Sequence, residues 1–123
     1  MEYSISQNEQ QQIAIDFSMG HEALGRWFND ELGHHIENIN KLLETVLKIE
    51  AKESLQHQQQ GREFRLLISD DEVEILANSL DMETELPENT ELYESELRSA
   101  CGLADFKDVL LEWRHFINTH GNN

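Results

Sequence analysis

Residues 64–77 read Phe-Arg-Leu-Leu-Ile-Ser-Asp-Asp-Glu-Val-Glu-Ile-Leu-Ala, and this stretch decides the fold class. Apolar side chains alternate along both halves, at positions 64, 66 and 68 and again at 73, 75 and 77. Alternation with a period of two is typical of strands that bury one face. The Asp70-Asp71 pair between the halves favours a turn. The stretch therefore predicts a β-hairpin with strands at 64–69 and 72–77.

The chain before this hairpin has a helical pattern. Between about residues 22 and 52, apolar side chains recur every three or four positions, which predicts one long helix. A helix of that span would be roughly 45 Å long, so its C-terminal end could project from the domain. The glutamine-rich residues 54–61 then predict a linker that ends at Gly61.

Outside these elements lie a second hairpin and a second helix. Residues 12–19 alternate as a half-buried strand, and residues 3–5 are its candidate partner. An apolar stripe predicts a last helix at about 105–118, followed by a disordered tail at about 120–123. The order ββαββα predicts a single α+β domain over residues 1–123. Its architecture would be a two-layer sandwich in which an antiparallel sheet from two β-hairpins packs against two main helices.

Charge is the strongest compositional signal. The chain has 123 residues, with 25 acidic and 9 basic side chains, and a formal net charge of −16. No surplus of Lys and Arg is available to neutralise phosphates, so we expect no direct binding to nucleic acid or to an anionic membrane. The single cysteine, Cys101, excludes an intramolecular disulfide, and the N-terminus has no secretory signal. These features predict a cytoplasmic protein.

The negative charge is concentrated after the central hairpin. Eleven acidic residues and no basic one lie between Arg65 and Arg98, and the loop at about 79–95 also holds the only proline, Pro87. A surface of one sign can steer an oppositely charged partner. The sequence thus predicts a non-enzymatic interaction or regulatory protein that binds a basic protein. The candidate partner-binding residues are Asp81, Glu83, Glu85, Glu88, Glu91 and Glu94. The alternative is a solvated loop whose charge only keeps the protein soluble.

A second hypothesis is a small enzyme or metal-binding protein with a site near the start of the first long helix. Its candidate residues are His21, Glu22, Glu31 and His35. Glu31 and His35 are four residues apart, as are Asp30 and His34, a spacing that places side chains on one helix face. The alternative interpretation is that His21 and Glu22 cap the helix and that the other pairs are ordinary surface contacts.

No complete catalytic or cofactor motif accompanies these residues. The stretch that begins at His21 reads His-Glu-Ala-Leu-Gly, which is not the His-Glu-x-x-His zinc motif, and the chain has no glycine-rich phosphate loop. We therefore expect no cofactor, no metal site and no catalytic residues. Cys101 is interpreted as a small buried side chain. A third hypothesis is a homodimer built on the projecting helix end, where exposure of Leu47 and Ile49 would support it.

Several short motifs resemble the YacL-like family of small acidic bacterial proteins of unknown function. The residues that carry the resemblance are Ser18-Met19-Gly20-His21-Glu22, Gly25, Trp27-Phe28-Asn29, Glu63-Phe64, Ala77-Asn78, Leu80 and Cys101-Gly102-Leu103-Ala104-Asp105-Phe106. The similarity covers essentially the whole chain outside the glutamine-rich segment at 56–60. It implies a cytoplasmic bacterial protein, but it implies no activity, cofactor or catalytic residue.

Overall fold

A computed structural model describes residues 2–7, 10, 12–18, 20–78 and 97–121. Six strands lie in this part of the chain: β1 Tyr3–Gln7, β2 Ile13–Phe17, β3 Gln56–Gln60, β4 Phe64–Ser69, β5 Glu72–Ala77 and β6 Arg98–Gly102. The α-helices of these residues are α1 Glu22–Arg26, α2 Ile36–Glu50 and α3 Leu103–Phe116. Trp27–Leu32, which we call the π-segment, continues α1 as a π-helix, and a second π-helical turn, Ile117–Gly121, follows α3.

The strands form two antiparallel sheets, so the protein has a mixed α+β fold as predicted. One sheet pairs β1 with β2, and the other has the order β3-β4-β5-β6, so the two predicted hairpins lie in separate sheets and not in one. The predicted central hairpin is confirmed, with Leu66 opposite Ile75 and Ile68 opposite Val73. These four side chains are buried, because residues two positions apart on a strand point to the same face.

The core lies between the four-stranded sheet and the helices. Helix α1 contacts β2, β5 and β6, and α3 contacts α2, β5 and β6. The largest fully buried side chains are aromatic: Trp27, Trp113, Phe28, Phe64 and Phe106. The rings of Phe28 and Trp113 approach edge to face with their centroids 6.0 Å apart, a favourable aromatic geometry. The apolar stripes predicted for the helices therefore meet in one core.

The prediction of one long helix at about 22–52 is wrong, because the helical backbone is interrupted at Gly33. Gly33 has a φ of 63°, a left-handed backbone angle that suits glycine and cannot continue a right-handed helix. Its N–H donates to Phe28 O at 3.0 Å, and its carbonyl accepts the indole N–H of Trp113 at 2.9 Å. The break turns α2 onto α3, so both helices can bury their apolar faces.

Two strands were not predicted from the sequence. Residues Gln56–Gln60 form the edge strand β3, although the glutamine-rich stretch was predicted to be a linker. Residues Arg98–Gly102 form β6, which pairs with β5. Leu76 lies opposite Arg98 at one end of the pairing, and Glu72 lies opposite Gly102 at the other. Cys101 therefore lies in a strand, and the last helix begins directly after it at Leu103.

The C-terminal end of α2 packs against the domain instead of projecting. Lys107 of α3 pairs with Glu50 at 3.0 Å, and Ile49 is buried, whereas Leu47 is 53% exposed. Of the two exposures that would support a homodimer on this helix end, only that of Leu47 is present. In the described residues, no helix has both the length and the apolar character needed to cross a membrane. The predicted acidic loop at 79–95 and residues 122–123 of the predicted tail lie outside the described residues.

Candidate functional site

The turn between β3 and β4 is held by the side chain of Glu31 in the π-segment. Glu31 Oε1 accepts the backbone N–H of Arg62 at 2.9 Å, and Oε2 accepts those of Glu63 and Phe64 at 2.7 and 2.9 Å. A carboxylate with three N–H donors forms strong, charge-assisted hydrogen bonds. We call this arrangement of Glu31 with residues 62–64 the Glu31 clamp.

The carbonyl side of the same turn is held by Asn78. Its Nδ2 donates to Gly61 O and Arg62 O, both at 3.1 Å, and its backbone N–H donates to Glu63 O at 2.7 Å. Gln60 Nε2 donates to Asn78 Oδ1 at 2.6 Å. The backbone N–H groups of the turn are thus bonded to the π-segment, and its backbone carbonyls are bonded to Asn78 at the end of β5.

Gly61 is required where these contacts converge. A Cβ atom at this position would lie 2.6 Å from Phe64 O and 2.7 Å from Glu31 Oε1. Both distances are far below van der Waals contact, so a larger side chain would separate the clamp from the turn.

Arg26, at the end of α1, adds a charged contact to the outside of the turn. Its Nη2 pairs with Glu63 Oε2 at 2.8 Å, and its guanidinium carbon lies 5.1 Å from the centre of the Phe64 ring. Both members of the ion pair are about half exposed or more, so solvent screens their attraction. The cation–π contact orients Arg26 against the turn.

The electrostatics of the clamp keep Glu31 ionised. Partial burial by itself would raise the pKa of Glu31. The backbone N–H groups of Glu63, Arg62 and Phe64, together with the Arg62 charge, outweigh that effect and lower the pKa below its ordinary value. Glu31 is therefore a structural anion at neutral pH and is a poor general acid.

A polar cleft of about 390 Å³ lies beside the clamp. It is lined by Asn29, Asp30, Glu31, Arg62 and Glu63. A second cleft of similar volume, about 390 Å³, shares Asn29 and extends along β2 to Arg26 and Glu22. Carboxylates outnumber guanidinium groups in these linings, which makes the region a better surface for cationic groups than for anions.

In the sequence, this site adjoins the acidic segment, residues 79–95. Asn78 precedes the segment directly, and β6 begins at Arg98 shortly after it. Of the eleven acidic residues between Arg65 and Arg98, only the four on the hairpin, Asp70, Asp71, Glu72 and Glu74, lie in the described part of the chain. The predicted partner-binding residues Asp81, Glu83, Glu85, Glu88, Glu91 and Glu94 lie outside the described residues.

The four residues of the alternative pocket have separate environments. Glu31 forms the clamp, while Glu22 Oε1 accepts the backbone N–H of Gly20 at 2.8 Å. His35 is exposed and precedes α2. His21 precedes α1, and its Nδ1 is buried without a hydrogen-bond partner among the described residues. In the part of the chain that the structure describes, no three His, Cys, Asp or Glu side chains come together to hold a metal ion.

The helical pairing of Asp30 with His34, and of Glu31 with His35, does not form. The π-segment ends at Leu32, and the backbone of residues 33–35 is not helical, so a spacing of four no longer places two side chains on one face. His34 instead directs Nε2 to Ile13 O at 3.0 Å. Asp30 lines the cleft beside the clamp.

Cys101 is not arranged as a nucleophile. Burial, followed by the charges of Asp105 and Glu72, raises the pKa of the Cys101 thiol to about 12. The thiol is therefore protonated at neutral pH. Cys101 packs against the core but is only partly buried, whereas the sequence was interpreted as placing a small buried side chain here.

Sequence reasoning missed three structural contacts near the site. The N–H of Leu24 in α1 is satisfied by Ser99 Oγ of β6 at 3.2 Å, so the helix start is capped by a distant strand and not by the side chain of His21. Asn29 bonds both the N–H and the carbonyl of Ile15 at 3.0 Å. The Glu31 clamp joins residues more than thirty positions apart, and no local spacing signals such a contact.

Comparison with known proteins finds relatives from one protein family, and they match nearly the whole length of this chain. The model of the family described as "Uncharacterised protein family (UPF0231)" matches residues 1–117. A UPF0231 protein of Erwinia tasmaniensis is 36% identical over 118 residues, which cover 95% of this chain and 98% of the relative. A UPF0231 protein of Edwardsiella ictaluri is 35% identical over 121 residues, covering 98% of this chain and 100% of the relative.

A UPF0231 protein of Shewanella baltica is 35% identical over 120 residues, with 95% of this chain and 97% of the relative covered. No solved structure matches the chain. The relatives confirm the resemblance to a family of small bacterial proteins whose function is not characterised. On this full-length similarity, the chain belongs to the UPF0231 family.

Proposed function

We propose that this protein is a non-enzymatic interaction or regulatory protein that captures a basic protein partner through the acidic segment, residues 79–95. The observation that carries the proposal is the charge of that segment, which has six carboxylates and no Lys or Arg. Any cation that neutralises it must come from elsewhere in the chain or from a partner. A partner with a positive surface would be attracted before contact, which accelerates association.

The pairing of β5 with β6 supports a role for the segment. Leu76 pairs directly with Arg98, so the chain leaves the sheet and returns to it on adjacent strands. A short turn would be enough to join antiparallel neighbours. The acidic connection is therefore longer than the sheet requires.

Ion pairs among the described residues engage several of the chain's own basic side chains. Arg98 pairs with Glu74 at 3.1 Å and Lys52 with Asp70 at 2.6 Å, in addition to Arg26 with Glu63 and Lys107 with Glu50. These contacts commit four of the nine basic residues to carboxylates of the described residues. They favour an external source of positive charge for the segment.

The proposal includes a cytoplasmic location and no direct binding to nucleic acid or membranes. The lone thiol of Cys101 fits a reducing compartment, and a charge of −16 opposes contact with phosphate-rich surfaces. The carboxylate-rich clefts beside the Glu31 clamp extend the same negative character to the root of the segment.

A pull-down with charge-matched variants tests the proposal. One variant carries Glu83→Gln, Glu85→Gln, Glu88→Gln and Glu91→Gln. The control carries Glu2→Gln, Glu37→Gln, Glu44→Gln and Glu53→Gln, at exposed positions of the described residues. Both variants lose four negative charges. If the acidic segment is the binding surface, only the variant changed in that segment should fail to capture the partner. Proteins captured from a cell lysate are eluted in salt steps and identified by mass spectrometry.

We expect one basic protein to bind the natural chain and the control variant, and to elute at moderate salt because screening weakens the attraction. The purified partner should then bind the segment variant at least about tenfold more weakly than the control variant, a loss of about 1.4 kcal/mol. Equal affinity for the two variants would show that the segment is not the binding surface.

A further inference from the structure

The outer edge of β3 presents main-chain groups that no other strand of the described residues pairs with. β3 is an edge strand of the four-stranded sheet, paired only with β4 in the described part of the chain. The opposite edge strand, β6, packs against α1, to which Ser99 is bonded. The edge of β3 therefore offers main-chain groups for pairing with another strand.

The hydrogen bonds at the two ends of β3 show which groups point outward. The backbone N–H of Asp70 donates to Leu55 O at 3.2 Å, and the backbone N–H of Gly61 donates to Phe64 O at 2.8 Å. The main-chain N–H and C=O groups of the odd-numbered residues of β3 therefore point toward β4. Bonded positions alternate along an antiparallel strand. The N–H and C=O groups of Gln56, Gln58 and Gln60 therefore point away from the sheet. Among the described residues, one of these groups has a contact, from Ser54 Oγ to Gln56 O at 3.3 Å.

The edge of β2 shows how this fold covers such groups elsewhere. Asn29 occupies both main-chain groups of Ile15, and His34 contacts the carbonyl of Ile13. These side chains block strand addition at β2. The outward groups of Gln58 receive no comparable side chain from the described residues.

We propose that the β3 edge pairs with the β3 edge of a second copy of this chain, antiparallel about a two-fold axis through Gln58. In that register Gln56 lies opposite Gln60, and His57 lies opposite Gln59. Each pair of outward-facing residues can exchange two main-chain bonds. A two-fold interface must be complementary to itself, and a glutamine strand meets this condition because each amide both donates and accepts.

The charge distribution favours the β3 edge, over other parts of the surface, as the place where a second copy binds. The chain carries −16, so two copies repel each other at most contacts, but residues 54–61 contain no Asp, Glu, Lys or Arg. Leu55 is 78% exposed and directly precedes the strand. In the paired register it lies opposite Gly61 of the second copy, where its apolar surface becomes partly covered.

Sedimentation velocity of the full chain from micromolar to millimolar concentration tests the proposal. We expect a monomer–dimer equilibrium that tightens when salt rises from low to moderate, because screening reduces the repulsion between copies. This salt dependence is opposite to that of the basic partner. A chain that stays monomeric over the whole range at moderate salt overturns the proposal.

Gln58→Pro is the diagnostic variant. Proline removes the outward N–H of residue 58, which β4 does not use, so the native sheet keeps its pairing. The dimer should weaken at least about tenfold because both copies lose a bond at the axis. Gln58→Ala keeps the N–H and should stay within about threefold of the natural chain. Equal dimerisation of the two variants contradicts the proposal.

Two further variants cover other outcomes. If Gln58→Pro fails to fold, Gln58→Lys places like charges opposite each other on the axis and should also weaken the dimer, although it lowers the net negative charge. Leu47→Lys alters an exposed apolar position on α2 and should leave the dimer unchanged. Loss of the dimer in Leu47→Lys alone would place the interface on the helices and overturn the proposal.

Discussion

Glu31 Oε2 lies 2.7 Å from the backbone nitrogen of Glu63, so a side chain of the π-segment holds the turn between β3 and β4. The same oxygen accepts the N–H of Phe64, at the first residue of the central hairpin. A single carboxylate thus links the helical layer to the sheet. This relationship leads to predictions about stability that are independent of the partner.

Replacing Glu31 with glutamine should lower the free energy of unfolding by about 2 kcal/mol. The side chain keeps its shape, but an amide N–H₂ group replaces one of the two oxygens that accept the turn's N–H groups. At least one backbone donor then faces another donor. Urea denaturation of the natural chain and the variant measures the difference. Glu37→Gln, at an exposed position of α2, is the control and should change stability by less than about 0.5 kcal/mol. Equal stability of the two variants would show that the clamp contributes little.

The stabilisation by Glu31 should depend on pH. Its pKa in the folded protein is lowered from the ordinary value of 4.5, so the unfolded chain binds this proton more readily. The contribution is therefore complete above the unfolded pKa and is lost as pH falls through the lower, folded pKa. Urea denaturation between about pH 3 and pH 7 should show the natural chain and Glu31→Gln converging at acidic pH. A difference that stays constant over this range would contradict the assignment.

Gly61→Ala should destabilise the protein by about 1–3 kcal/mol. The new methyl group would lie 2.6 Å from Phe64 O and 2.7 Å from Glu31 Oε1, so the turn and the clamp must move apart. Gly102→Ala is a matched control, because the nearest atom to its added Cβ is 3.9 Å away. Thermal denaturation compares the two variants. The prediction fails if Gly102→Ala costs as much stability as Gly61→Ala.

Added salt should raise the melting temperature. At −16 the folded chain repels itself, and screening relieves this repulsion more than it weakens the few exposed ion pairs. A gain of about 1 kcal/mol corresponds to a rise of several degrees for a domain of this size. Calorimetry in sodium chloride from low to moderate concentration measures the effect. The variant with four glutamines in the acidic segment should show a shallower rise, whereas a steady fall for the natural chain would refute the prediction.

The sequence predicted the elements whose apolar residues have a regular period. In the hairpin at 64–77 the alternating side chains are the ones that the sheet buries, so the pattern and the structure agree. The edge strand β3 was missed because its glutamines bury no apolar face, so its main-chain pairing with β4 leaves no alternating apolar pattern in the sequence. β6 is short and contains the small residues Ser99 and Ala100, which leave a weak pattern.

The break at Gly33 shows a different limit. Leu32 and Ile36 are four positions apart and both contact the core, so the apolar period continues across the turn. Periodicity alone cannot distinguish one helix from two segments that bury the same face. Glu31 was singled out as a candidate, but its partners at 62–64 are brought to it only by the fold.

The bond from Leu24 N to Ser99 Oγ has a consequence for synthesis on the ribosome. The acceptor that completes the start of α1 is translated 75 residues after its donor. The indole that holds Gly33 comes 80 residues after that glycine. A nascent chain that has emerged only as far as the acidic segment therefore lacks both contacts. Its N-terminal half must wait for β6 and α3, so we expect the native fold to form only after the residues through Trp113 have left the exit tunnel.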